Sequence, residues 1–126
     1  MELAGKRVVV TGGAGFLGSA LVPLLERAGC AQVLVPHSKD YDLVEMEACK
    51  RLIADAHPQV LIHLAAKVGG IGANREKPGS FFFENLMMGV QLMEQARLSG
   101  VEKFVALGAI CAYPKFTPVP FREEDL

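Results

Sequence analysis

The 126-residue sequence predicts a doubly wound, parallel α/β domain, and three observations lead there. Short β-branched runs alternate with segments of helical periodicity, in the order strand, helix, strand, helix, strand, helix, strand. A glycine-rich turn follows the first strand directly. Hydrophobic residues make up 51% of the chain and charged residues 21%, which is enough apolar surface to build a core. Parallel neighbours joined by right-handed crossovers put helices on both faces of such a sheet.

The first strand is Lys6-Arg7-Val8-Val9-Val10-Thr11, a run that stops at Gly12-Gly13 and reads as buried. Phe16, Leu17, Ala20, Leu21, Leu24, Leu25 and Ala28 then recur three and four apart, and Gly29 closes this helix. Pro23 lies inside it, removes one backbone hydrogen bond and is expected to bend the axis. Gln32 to Val35 is the second strand. Met46, Cys49, Leu52, Ile53 and Ala56 mark a second amphipathic helix, ended by Pro58. Gln59 to Ala66 reads as a third strand, apolar apart from His63. A loop rich in glycine and charge leads to a long helix over Ser80–Ser99. That helix is apolar nearly all the way round, so it should be covered by its own sheet and by a partner. Lys103 to Leu107 is the fourth strand and reads as an interior one. Residues 1–113 form one domain, and 114–126 are a loop leading out of it.

Composition removes several function classes. Thirteen Lys+Arg against fourteen Asp+Glu give a net charge of -1, which argues against a general grip on nucleic acid or anionic lipid. No apolar run reaches the length of a membrane span, and the N-terminal residues run straight into the first strand with no leader pattern. The expected location is therefore cytoplasmic. Cys30, Cys49 and Cys111 form no C-x-x-C pair, which excludes a disulfide framework or zinc ribbon. Cys30 and Cys49 read as small apolar filler. His37, His57 and His63 have no metal-ligand spacing, so no metal is expected.

Chemistry concentrates at Thr11-Gly12-Gly13-Ala14-Gly15-Phe16-Leu17-Gly18, between the first strand and the first helix. A G-x-G-x-x-G match in that context is the fingerprint of a Rossmann-type dinucleotide site. Gly12 permits the tight turn, Gly15 lets the backbone approach a pyrophosphate, and Gly18 lets the helix pack close. Free N–H groups and the helix dipole then hold the anion. No Gly-Lys-Ser/Thr follows, which excludes a Walker-type loop. An NAD site would place an acid near the end of the second strand. Here Val35-Pro36-His37-Ser38-Lys39 has none, and Ser38, Lys39 and His37 suit a 2′-phosphate. The expected cofactor is NADP(H).

Thr11–Gly18, Asp42-Leu43 and His63-Leu64-Ala65-Ala66 together resemble the extended short-chain dehydrogenases/reductases. Within that family, Ala65-Ala66-Lys67-Val68-Gly69-Gly70-Ile71 and Cys111-Ala112-Tyr113-Pro114-Lys115 are similar to the GDP-L-fucose synthases, which epimerise and reduce GDP-4-keto-6-deoxy-mannose. The resemblance covers essentially the whole chain. It implies NADPH, cytoplasmic nucleotide-sugar metabolism and a homodimer packed through helix 80–99. It also implies a chain that stops after the fifth strand of the family fold, before the sugar-binding region.

By position, the resemblance assigns Gly12, Gly13, Ala14, Gly15, Phe16, Leu17 and Gly18 to the pyrophosphate loop. Ser38, Lys39, Asp42 and Leu43 match the adenosine-ribose segment, and Leu64, Ala65 and Ala66 join the cofactor contacts. Leu107, Gly108, Ala109 and Ile110 match the strand end beside the nicotinamide. Cys111 matches a thiol that exchanges protons with the sugar, a role a tuned thiol can fill. Asn85 falls where relatives carry a helix asparagine that orders the active site.

Two departures stand against this pattern. Ala109 occupies the position of a family Ser or Thr whose hydroxyl bonds the substrate oxygen. The family's Tyr-x-x-x-Lys pair is absent, since Glu45 follows Tyr41 by four residues and Thr117 follows Tyr113. The chain is therefore expected to be inactive alone. Three readings follow: the cofactor-binding part of such an enzyme, a non-catalytic dinucleotide-binding module, or another nucleotide-sugar epimerase or dehydratase.

Overall fold

The computed structural model describes residues 1–126. Its sheet has four strands, all parallel, in the order β2-β1-β3-β4: β1 (Arg7–Thr11), β2 (Gln32–Leu34), β3 (Val60–His63) and β4 (Lys103–Ala106). The strand count matches the four apolar runs of the sequence. Four helices connect them: α1 (Phe16–Arg27), α2 (Met46–Ala56), α3 (Ile71–Glu76) and α4 (Pro78–Leu98).

Successive side chains of a strand point to opposite faces, and here that alternation divides the core in two. Val8, Val10 and Val60 face α1 and pack with Leu25. Val9 and Leu61 face α2 and α4, where they meet Cys49, Leu52, Ile53, Leu92 and Ala96. Burial pushes the Cys49 thiol up to about 11, which suits its reading as apolar filler. Helix α1 runs unbroken through Pro23, which sits on its exposed side, where water can take the place of the missing partner.

Several boundaries differ from expectation. The third strand ends at His63, and Ala65 and Ala66 beyond it become a wall of the site described below. The segment read as loop contains α3, a six-residue helix too short for periodicity to reveal. The long helix starts earlier, at Pro78, whose missing N–H costs nothing in the first turn. Strand β4 lies at the edge of this four-stranded sheet, with Lys103, Val105 and Ala106 exposed.

Candidate cofactor site

The four strands are parallel, so the segments leaving their C-terminal ends gather along one edge of the sheet. The turn after β1 is fixed there by the absence of side chains. Gly12 has φ +70°, and a Cβ on it would stand 2.7 Å from the Ala65 nitrogen. A Cβ on Gly18 would stand 2.4 Å from the Gly12 carbonyl oxygen, so helix α1 presses directly on the turn. Gly15 differs from both. A Cβ there would meet only the Gly12 oxygen, at 3.1 Å, and its outer side is open.

Helix α1 begins with no side-chain cap, and its first internal bond runs from the Ser19 N–H to the Gly15 carbonyl at 2.9 Å. The N–H groups of Phe16, Leu17 and Gly18 consequently have no protein acceptor. They are free donors at the positive end of a 12-residue helix.

A cleft of about 670 Å³ opens over this turn. Gly12, Ala14 and Gly15 line its floor, and Ser38, Lys39, Asp42 and Leu43 line one side. Ala65 and Ala66 line another. Nine predicted residues thus meet in one cavity. Gly13 and Gly18 lie buried behind it, and Leu64 adjoins Gly12. Phe16 and Leu17 stand exposed on the first turn of α1.

Leu107, Gly108, Ala109, Ile110 and Cys111 are placed differently. They follow β4 beyond the cleft lining, the last two in a short 3-10 turn, and all are exposed. The Leu107 N–H donates to the His63 carbonyl at 3.4 Å, which keeps the segment at the same sheet edge.

Several residues that shape the cleft were not legible from spacing. Thr11 Oγ1, fully buried, accepts the Ala65 N–H at 3.3 Å and lies 2.7 Å from His63 Nδ1. The arrangement that uses every proton has the Thr11 hydroxyl donating to Nδ1, with the imidazole proton on Nε2. Burial lowers the His63 pKa, so this ring is held neutral. The buried Gln91 donates from Nε2 to the Val44 carbonyl at 2.7 Å and ties the 42–44 segment to α4. Asn85 clamps the Lys67 backbone from both sides: Oδ1 accepts its N–H at 2.7 Å, and Nδ2 donates to its carbonyl at 3.0 Å. Tyr41 lines the cleft with its hydroxyl donating to Asp55 at 2.8 Å and Arg51 lying over its ring.

A glycine turn with open amides at the carboxyl edge of a parallel sheet defines the class of dinucleotide-binding α/β domains. Comparison with known proteins makes the assignment narrower. The chain belongs to the NAD dependent epimerase/dehydratase family, which it matches over residues 8–126. It is similar to a GDP-L-fucose synthase of Sinorhizobium fredii, 40% identical over 124 residues, covering 98% of this chain and 39% of the relative. Among solved structures it resembles a GDP-D-glycero-L-gluco-heptose synthase from Campylobacter jejuni crystallised in the presence of NADPH. That match has a TM-score of 0.89 at 27% identity and covers 100% of this chain and 36% of the other. It also resembles a GDP-L-fucose synthetase from Naegleria fowleri bound to NADP, with a TM-score of 0.82 at 27% identity, covering 99% and 38%. The chain spans about two fifths of the length of the curated relatives it matches (39% and 37% for two of them). No helix is long and apolar enough to cross a membrane.

Proposed function

We propose that this chain is the NADP(H)-binding part of an epimerase/reductase that converts GDP-4-keto-6-deoxy-mannose to GDP-L-fucose in the cytoplasm. The observation that carries the proposal is the cleft floored by Gly12, Ala14 and Gly15, beside the free amides of Phe16, Leu17 and Gly18 and with no carboxylate at Ser38-Lys39 where an NAD site needs one. The residues fit the cofactor. Phe16, Leu17 and Gly18 offer N–H donors to the diphosphate, and Gly15 leaves room for it. Ser38 and Lys39 suit a 2′-phosphate, with Asp42 and Leu43 beside the adenosine. Bound NADPH supplies the hydride that reduces C4 of the sugar.

Leu107 to Ile110 border the nicotinamide end in this reading. Cys111 then takes and returns protons at sugar carbons acidified by the 4-keto group, a role that its exposed position leaves open to substrate. Ala109 supplies no hydroxyl, and losing such a donor costs about two to three orders of magnitude in rate. Residues 1–113 act as the cofactor unit and 114–126 lead away from it. Phe82, Phe83, Leu86, Val90 and Met93 form an exposed apolar stripe on α4, which supports a homodimer packed through that helix.

Fluorescence titration with NADPH and NADH tests the cofactor assignment. Tighter NADPH is expected, and tighter NADH overturns it. Incubation of this chain with NADPH and the keto sugar is expected to give negligible turnover, and measurable fucose formation would overturn its role as a part. Ala109 favours a second reading, a non-catalytic dinucleotide-binding module. A rate gained on Ala109→Ser in a catalytically competent assembly decides for the enzyme.

A further inference from the structure

Lys67 and Glu84 were not assigned a role by the motifs, yet both line the cleft beside the glycine turn. Lys67 follows the Ala65–Ala66 wall, and its backbone is fixed to α4 by the two Asn85 hydrogen bonds. Its side chain is 54% exposed, and its ammonium has one protein partner, Glu84 Oε2 at 3.2 Å. Two of its three donors are therefore unused. Glu84 has a second partner of its own, because Ser80 Oγ donates to Oε1 at 2.6 Å. The Ser80 hydroxyl and Lys67 together hold the Glu84 carboxyl below its ordinary pKa, so it is anionic at neutral pH.

This is an unequal pair. If Lys67 turns away, Glu84 keeps Ser80. An exposed ion pair is weak, so little holds Lys67 in place against a competing anion. Lys39 and Lys67 are the two lysines lining the cleft, and they stand on different walls, one after β2 and the other after β3. Lys39 faces the ribose side in the reading above, which leaves Lys67 as the lysine on the wall that carries Ala65, the residue packed against Gly12.

We propose that Lys67 is a phosphate-binding residue of this cleft, parked on Glu84 in the free protein and transferred to the cofactor diphosphate on binding. The proposal rests on the reading of the cleft as an NADP(H) site. Glu84 then acts as a competitor that lowers affinity, and also as a store that keeps the lysine oriented.

The signature is a pair of opposite effects. At low salt, Lys67→Gln should weaken NADP+ binding by about fivefold, the scale of one charge contact in water. Glu84→Gln retains a group for Ser80, removes the competing charge and should tighten binding by about threefold. Both changes should shrink as salt is raised. Calorimetric titration of the protein and the two variants with NADP+ reads this directly. Both side chains are partly or largely exposed and the Asn85 clamp uses only backbone, so the variants retain the fold. If Glu84→Gln weakens binding or leaves it unchanged, the pair is a structural tie and the proposal is overturned. An unchanged affinity for Lys67→Gln overturns it equally. If the unaltered protein takes up no NADP+, the reading of the cleft fails first and this inference falls with it.

Discussion

The turn after β1 and the segment after β4 leave the same edge of the sheet but are built in opposite ways. Each of Gly12, Gly13 and Gly18 meets neighbouring atoms where a side chain would begin, and Thr11 behind them is fully buried. Gly108 meets nothing within 4 Å, and Leu107 to Cys111 are exposed. The glycine-turn side of this edge is therefore defined by contacts within this chain. The side assigned to proton transfer has its residues in order but little packed around them.

That contrast can be broken most sharply at Gly18. Gly18→Ala pushes a Cβ into the backbone of Gly12 and Gly13, and should cost about 3 kcal/mol in denaturant unfolding. A loss under about 0.5 kcal/mol would show that the turn is loose. Thr11→Val comes next. It leaves the Ala65 N–H without its acceptor and His63 without its partner, and should cost about 2 kcal/mol.

His63 sharpens the comparison through pH. Its native pKa is lowered by burial, so the unfolded chain binds the proton more tightly. Its contribution is complete above the ordinary histidine value of about 6.5 and is lost as pH falls from there through the lower native value. The slope should stay below about 1.4 kcal/mol per pH unit, and His63→Gln should flatten it. An unchanged slope in that variant would assign the titration elsewhere. The smallest effect is expected at Gly108→Ala, within about 0.5 kcal/mol, because nothing surrounds that position. A larger loss would mean that the segment after β4 is packed after all.

The same contrast explains what the sequence could reveal. Strand β1, the glycine turn and α1 were legible because apolar period and glycine spacing are local patterns. Helix α3 was not, since six residues with glycine at the second position and charge at the end carry no period. The long helix was recognised, but its start at Pro78 was masked by the polar run before it. The site divides along the same line. Gly12, Gly15, Ser38 and Lys39 were found from a motif and its offset. Lys67 with Glu84, or Gln91 with Val44, are partnerships across 17 and 47 residues of chain that only folding brings together. Asn85 was placed by resemblance, and its double hydrogen bond to Lys67 supplies the physical reason for an amide there.

Amide chemical shifts in a 15N-labelled sample, followed while NADP+ is added, probe the anion cradle more directly than any affinity. The Phe16, Leu17 and Gly18 resonances should move furthest, with Ser38 and Lys39 responding more strongly to NADP+ than to NAD+. If those helix-start signals stay still while cofactor binds elsewhere, or does not bind at all, the glycine turn is not what holds it.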